Sequence, residues 1–413
     1  RQAKQEKLDP YFQAIQTLQS QLSVFHGIRL GQILRFVPPV PGSDTTTWTA
    51  LSEMDSAMQS SFKSMTKAFA RRLAQDDKAS SNSREFEEVD QADYKAVQDF
   101  IAQAKSVNPD AYANEDKIAA EIHLKNFEPF KWAWMVYLLG TIFAVFFMVS
   151  DKRGYYLASL GIFFVAMGLH IYGISLRVYL LGRPPVSNMY ETVIWVPLLA
   201  IIFALILNFV RSNQFLLVSA GVINVMCLIL SDLSPVVLDA TLQPLQPVLR
   251  DNFWLVTHVL IIVTSYAAFF LAFIIGDITL VYFLRDEVKY KKQIKDGVLA
   301  IYRSMQIGVV LLALGIILGG VWADYSWGRF WGWDPKETWS LIALLGYLAI
   351  LHGRIIGWVR NFAMSMLSVL SFSLVIMAWY GVNFVLGAGL HTYGFGAGGV
   401  EYVSAFVALH LLY

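Results

Sequence analysis

Eight stretches of roughly 20 apolar residues, near 131–149, 155–178, 192–210, 214–231, 253–284, 301–322, 338–357 and 362–384, restrict this chain more than any other feature, and another begins near 402. Each is long enough to cross about 30 Å of hydrocarbon as a helix. With 56% hydrophobic residues and a mean hydropathy of +0.50, an ordinary soluble domain is excluded. The expected fold class is all-α: a polytopic transmembrane helix bundle of eight spans plus the start of a ninth, behind an N-terminal, mainly helical extracytoplasmic region.

Charge divides and orients the chain. About one residue in four is charged over 1–130 and about one in ten beyond, so the expected domains are 1–130, exposed to water, and 131–413, in the membrane. Lys152 with Arg153, Arg211, the cluster Arg285, Lys289, Lys291, Lys292 and Lys295, and Arg354 with Arg360 fall in alternate loops, which the positive-inside rule makes cytoplasmic. The N-terminal region, 182–191, 232–252, the loop 322–339 and the glycine-rich segment 387–399 then lie outside. Helix-period segments near 9–27, 54–74, 84–104 and 112–126 make the first region mainly helical, with breaks at Pro38–Gly42 and Ala79–Ser83.

Several classes are excluded early. A net charge of +1 argues against nucleic acid as a partner, and the single Cys227 inside an apolar run rules out a disulfide framework, a cysteine metal site or a thiol redox pair. The chain opens on Arg1 without Met and stops at Tyr413 part-way through an apolar segment, so it is expected to be a piece of a longer polypeptide.

Between two spans runs Trp327-Gly328-Arg329-Phe330-Trp331-Gly332-Trp333-Asp334-Pro335-Lys336-Glu337, flanked by Trp322 and Trp339. Interfacial tryptophans are normally scattered over many helix ends. Here they crowd one loop, which suggests flat π-surfaces gathered for a large planar ligand. Asp334, Pro335 and Glu337 also have the spacing of a helix start, and Asn188 with Glu191 shares it, so capping is the first use expected of these residues.

Counting 1.5 Å per residue places the histidines by depth. His258, just inside the outer end of its span, and His391, in the glycine-rich segment, are level with the tryptophan loop. Neutral imidazole is a common axial ligand of iron, so two from separate segments have the chemistry of haem ligation. Glycines 387, 389, 394, 396, 398 and 399 would let backbone near His391 approach a bulky ring. His352 lies roughly 27 Å lower, beside Arg354 and Arg360, and marks an inner site. His170 and His410 count to the outer half of their helices, too high to pair with His352, and helix-packing hydrogen bonds are expected of them. Asp277 counts to the inner end of its span, near Arg285. His26 and His123 are expected to be ordinary surface or half-buried residues.

Four blocks in order carry a family resemblance: Pro185-Val186-Ser187-Asn188-Met189-Tyr190-Glu191; Trp254-Leu255-Val256-Thr257-His258; the tryptophan loop through Trp339; and Gly381-Val382-Asn383 followed by Gly389-Leu390-His391-Thr392-Tyr393-Gly394. From about 155 to 413 the chain resembles the CcsA (ResC) cytochrome c biogenesis proteins of System II, within the haem-handling superfamily named for its WWD signature. The resemblance implies that His258 and His391 hold an external haem b iron over Trp322, Trp327, Trp331, Trp333, Asp334 and Trp339, and that His352 is a ligand of an inner haem. It also implies a multi-pass protein of the bacterial inner membrane, with the soluble region and WWD loop on the periplasmic face and lipid around the spans. Its activity would be holocytochrome c synthase: haem crosses within the protein and is joined to the Cys-x-x-Cys-His motif of apocytochrome c. A ResB/CcsB-like partner would supply a second inner histidine, and residues 1–130 would be the tail of such a part fused ahead. A non-catalytic haem carrier like CcmC, or a b-type electron-transfer subunit, are the alternatives.

Overall fold

A computed structural model describes residues 35–41, 47–79, 91–109, 115–210, 213–233, 251–387 and 399–412, with positions 22, 23, 26, 238, 240–242 and 389. The chain forms two compact units, Arg1–Ile118 and Ala119–Tyr413. His391, with Gly394, Gly396 and Gly398, lies outside the described residues.

In the first unit a short antiparallel ribbon, β1 (Arg35–Val37) with β2 (Thr49–Ala50), adds a strand pair to the helices expected there. Asn108 donates to the Pro39 carbonyl at 3.1 Å from beyond the second helix. α1 (Ser56–Ala79) starts where the Asp55 carboxylate accepts from the Met58 N–H, and packs on α2 (Gln91–Val107) with Phe62 edge-on to Phe100. Val37, Met54 and Ala104 form the small core.

α3 (Glu115–Phe127) meets α4 (Pro129–Ser150) at Glu128, where a left-handed φ of 47° and the missing N–H of Pro129 interrupt the helix. Then come α5 (Arg153–Leu181), α6 (Met189–Val210) and α7 (Gln214–Leu233). α8 (Ile261–Asp286) is led in by the π-turn Leu255–Leu260. α9 (Lys291–Trp327), α10 (Pro335–Ile355), α11 (Asn361–Ile376) with its π-helical extension Met377–Leu386, and α12 (Val400–Leu412) complete the order. Among the described residues eight helices are long and apolar enough to cross a membrane, and the chain is a multi-pass membrane protein. Helices suit hydrocarbon because each satisfies its own backbone hydrogen bonds.

α8 is the hub. It packs against α9 and α11 on one side and α6 and α7 on the other, while α4 sits on α5 and α7. Between helices in lipid, close contact replaces the hydrophobic drive, and small residues permit it. Gly276 of α8 abuts the Ser368 side chain, Gly297 of α9 abuts Thr279, and Gly308 faces the Phe269 ring. Along the opposite wall, Pro197 interrupts α6 and disturbs the hydrogen bonds of the turn before it. His170, fully buried, donates Nε2–H to the Ile194 carbonyl at 2.8 Å, and Asn224 donates to the Pro197 carbonyl at 2.9 Å. Helix packing is thus the use of His170. Replacing His170 by Leu should leave that carbonyl bare and cost about 1–3 kcal/mol, read as a lower midpoint in SDS titration of the purified protein.

Two expectations are corrected here. The span near 301–322 is the central part of a 37-residue helix whose charged first turns, Lys291 to Asp296, extend the same rod. His410 and Asp277, counted to opposite leaflets, instead face each other, Nε2 to Oδ2 at 3.5 Å. The count assumed that every helix begins at one level, and α12 begins deeper than α8.

Candidate functional site

The tryptophan loop starts where α9 ends on Gly328, whose left-handed φ of 68° stops the helix. It ends on Asp334, the N-cap of α10: Asp334 Oδ1 accepts from Lys336 N at 2.9 Å, and Glu337 reaches back to Asp334 N at 3.2 Å. The capping expected of Asp334 and Glu337 is present. Glu337 does more, because the same Oε2 also accepts from Gly332 N at 2.8 Å. The N–H groups on both sides of Trp333 are thereby clamped, and Trp333 takes φ 56°, a conformation costly for a large side chain. Its ring stands out 70% exposed, with Trp331 edge-on at 5.8 Å. Arg329 pairs with Glu337 at 3.4 Å, rests on Gly332 and sits 5.6 Å over the Trp327 ring. Trp327, Trp331 and Trp339 are half-buried. These rings border an open surface anchored from below.

Trp322 has another part. It is buried in a cluster with Val186 and Leu255, beside Trp195 and Trp254. Three of the four sequence blocks therefore meet around one ring. His258 lies edge-on to Trp322 at 5.7 Å, and its Nδ1 donates to the Gly315 carbonyl at 2.8 Å. A neutral imidazole so bonded is held in the tautomer whose lone pair is on Nε2. The ring occupies the place a side chain would fill on Gly319: a Cβ there would stand 2.5 Å from His258 Cε1. His258 rides on the π-turn Leu255–Leu260, and π-bulges recur at functional sites.

The fourth block comes in through Gly389, which adopts φ 103° and lies so close to Asp334 and Pro335 that a Cβ would overlap the Asp334 carboxylate. The residue two positions before His391 is thus packed on the tryptophan loop. Trp379, in the π-helical extension of α11, donates to Thr192 Oγ1 at 3.0 Å and ties that block to the start of α6. His352 is not part of this group. It sits three residues from the far end of α10, exposed, with Nδ1 donating to the Leu348 carbonyl at 2.8 Å.

Sequence reading missed a buried charge cluster beneath the first block. Asn188 does cap α6, accepting from Glu191 N at 2.8 Å, but the Glu191 carboxylate does not complete that box. Fully buried, it accepts from Ser187 N at 2.9 Å and Ser187 Oγ at 2.7 Å, and it faces Arg177 at 3.4 Å and Arg183 at 3.5 Å. Arg177 also donates to the Ala240 carbonyl and lies over the Tyr190 ring. Burial pushes the Arg183 guanidinium below its ordinary range, Glu191 opposes this, and Arg177 adds to it. The available signal was Arg177 near the end of an apolar run with an acid and a second arginine in the following loop.

Comparison with known proteins identifies a family. The family described as Cytochrome C assembly protein matches residues 186–391, beginning at the Val186 of the Trp322 cluster. Protein NrfI of Wolinella succinogenes is 37% identical over 236 residues, covering 56% of this chain and 26% of NrfI, so the chain spans about a quarter of that relative. Cytochrome c biogenesis protein CcsA of Guillardia theta is 32% identical over 240 residues, covering 52% of this chain and 77% of CcsA. The chain belongs to the CcsA family of cytochrome c biogenesis proteins. Within the family match lie the second and third blocks, the first from Val186 on, the fourth as far as His391, and both Glu191 and His352. Among solved structures, Cytochrome c Heme Lyase CcmF overlays with a TM-score of 0.47 at 15% identity, covering 69% of this chain and 48% of that one.

Proposed function

We propose that this protein receives haem b as its substrate, holds it at the tryptophan-rich end, and presents it for covalent attachment to apocytochrome c. The observation that carries the reading is His258. Its Nδ1 is committed to the Gly315 carbonyl, its ring is seated on Gly319 against Trp322, and the helix bearing those residues runs directly into the tryptophan loop. A porphyrin offers an iron for Nε2 and a flat face for the indoles. His391 is the proposed second iron ligand, supported by the packing of Gly389 on Asp334 and Pro335. His352, at the other end of α10, is the proposed ligand of an inner haem on its way through.

In the attachment each apocytochrome thiol adds across a haem vinyl group: sulfur bonds the carbon next to the ring, hydrogen goes to the terminal carbon, and no oxidant or reductant is consumed. The nucleophiles belong to the substrate's Cys-x-x-Cys-His motif. The protein supplies orientation and control of the iron. The tryptophan-rich end is proposed to face the periplasm across the bacterial inner membrane. A ResB/CcsB-like partner completes the inner site, with residues 1–130 as the end of such a part.

The test is an absorption spectrum of protein purified from haem-replete cells, with and without imidazole, together with cytochrome c maturation in cells supplying the partner. His258→Gly should lose the spectrum of the Trp-end haem and recover it with imidazole, while His352→Gly should lose loading of that end. Unchanged haem content and full maturation in His258→Gly would overturn the ligand assignment. Haem retention without thioether formation would overturn the synthase reading in favour of a carrier.

A further inference from the structure

Asp277 and His410 are two half-buried ionisable groups where α8 and α12 meet, on apolar helices. His410 Nδ1 lies 2.8 Å from the Phe406 carbonyl, which only accepts, so Nδ1 carries a hydrogen. Nε2 then faces Asp277 Oδ2 at 3.5 Å. A bare ring lone pair and a bare carboxylate at that separation repel. One proton between them gives either imidazolium with carboxylate or imidazole with carboxylic acid, and both pairs are neutral. Without it a full negative charge would remain where hydration is poor, a costly arrangement in a membrane interior.

His410 packs on the Phe273 and Phe406 rings, and the adjoining cavity, lined also by Val369, Phe372 and Ser373, has a volume of about 10 Å³, room for one water and too small for a ring. Asp277 Oδ1 is buried without a partner among the described residues. The polar side chain that α11 contributes to this lining is Ser373, whose hydroxyl donates to the Leu370 carbonyl. On α12 the other titratable groups, Glu401 and Tyr402, are about 12 Å along the helix, as is Arg285 on α8, with Tyr282 nearer at about 7.5 Å and its ring tilted against that of Tyr290. α9 meets this stretch of α8 through Gly297 on Thr279. His410 is the charged group acting on Asp277 among the described residues.

We propose that Asp277 and His410 form a proton-binding site within the membrane domain, holding one proton between Oδ2 and Nε2 while α12 is docked on α8 and α11. Folding and proton binding are then linked. An unperturbed imidazole gives up its proton above about 6.5, so a folded pair that keeps one proton there is stabilised by it relative to the unfolded chain. Stability from the pair is complete below about pH 6.5 and declines as pH rises.

The test is SDS-driven unfolding of the full chain between pH 6 and 9, wild type against Asp277→Asn, whose amide can donate to Nε2 but exchanges no proton. The wild-type folded-to-unfolded ratio should fall with rising pH relative to the variant, by at most about tenfold per pH unit, the limit for one proton. Parallel profiles would overturn the proposal. Should Asp277→Asn fail to fold, a pH-indicator dye in weak buffer should register about one more proton released on unfolding at pH 8 from wild type than from His410→Gln. Equal release would overturn it.

Discussion

Glu191→Ala is expected to be the most damaging single change in the membrane domain, lowering its stability by about 3–5 kcal/mol. The carboxylate is fully buried between Arg177 and Arg183, which are 3% and 7% exposed, so its removal strands two guanidinium groups with no counter-charge from this residue. Ser187 would lose the acceptor of both its N–H and its hydroxyl. Val186, the preceding residue, packs on Trp322, so the damage reaches the wall behind His258. Glu191→Gln should fall between Ala and wild type, because an amide oxygen still serves Ser187 while the ion pairs are lost. SDS-titration midpoints of the three proteins check the order; equal midpoints for Ala and wild type would mean the cluster carries no stability.

Gly319→Val is expected to leave the bundle folded and to lower haem occupancy at the tryptophan-rich end by about 10–100-fold, the usual penalty for disturbing the groups that orient a metal ligand. The added Cβ would stand 2.5 Å from His258 Cε1 and 2.9 Å from Nδ1, so the ring must leave both its seat and the Gly315 carbonyl. Gly161→Val is the control, since nothing lies within 4 Å of a Cβ there. Haem stoichiometry and the bound spectrum of the two variants give the comparison. Equal occupancy would show that the Gly319 seat does not set the ligand.

The spans were legible because a crossing demands about 20 apolar residues whatever surrounds it. The depth count set His258 level with the tryptophan loop, and the structure lays its ring against Trp322, in the helix that leads into that loop. Contacts at a distance were not legible. Nothing local marks Arg177 as the partner of Glu191, which lies 14 residues on across a loop, and the N-cap spacing of Asn188 supplied a sufficient local use. Trp322 read as one more platform ring because spacing gives no burial; the structure makes it the support of His258. The Asp277–His410 pair escaped because residue counts measure along each helix and not between helices. Asp277 lies roughly 33 Å from Leu255 along its rod and His410 roughly 15 Å from Val400, yet they touch.

The π-turn at Leu255–Leu260 has a bearing on how such a protein changes over generations. A π-turn accommodates one residue more than an α-turn, so loss of a single codon there closes it to an α-turn and re-aims the side chains inside it, His258 among them, while the buried seam of α8 beyond it keeps its phase. The direction in which His258 points is therefore heritable separately from the scaffold that carries it.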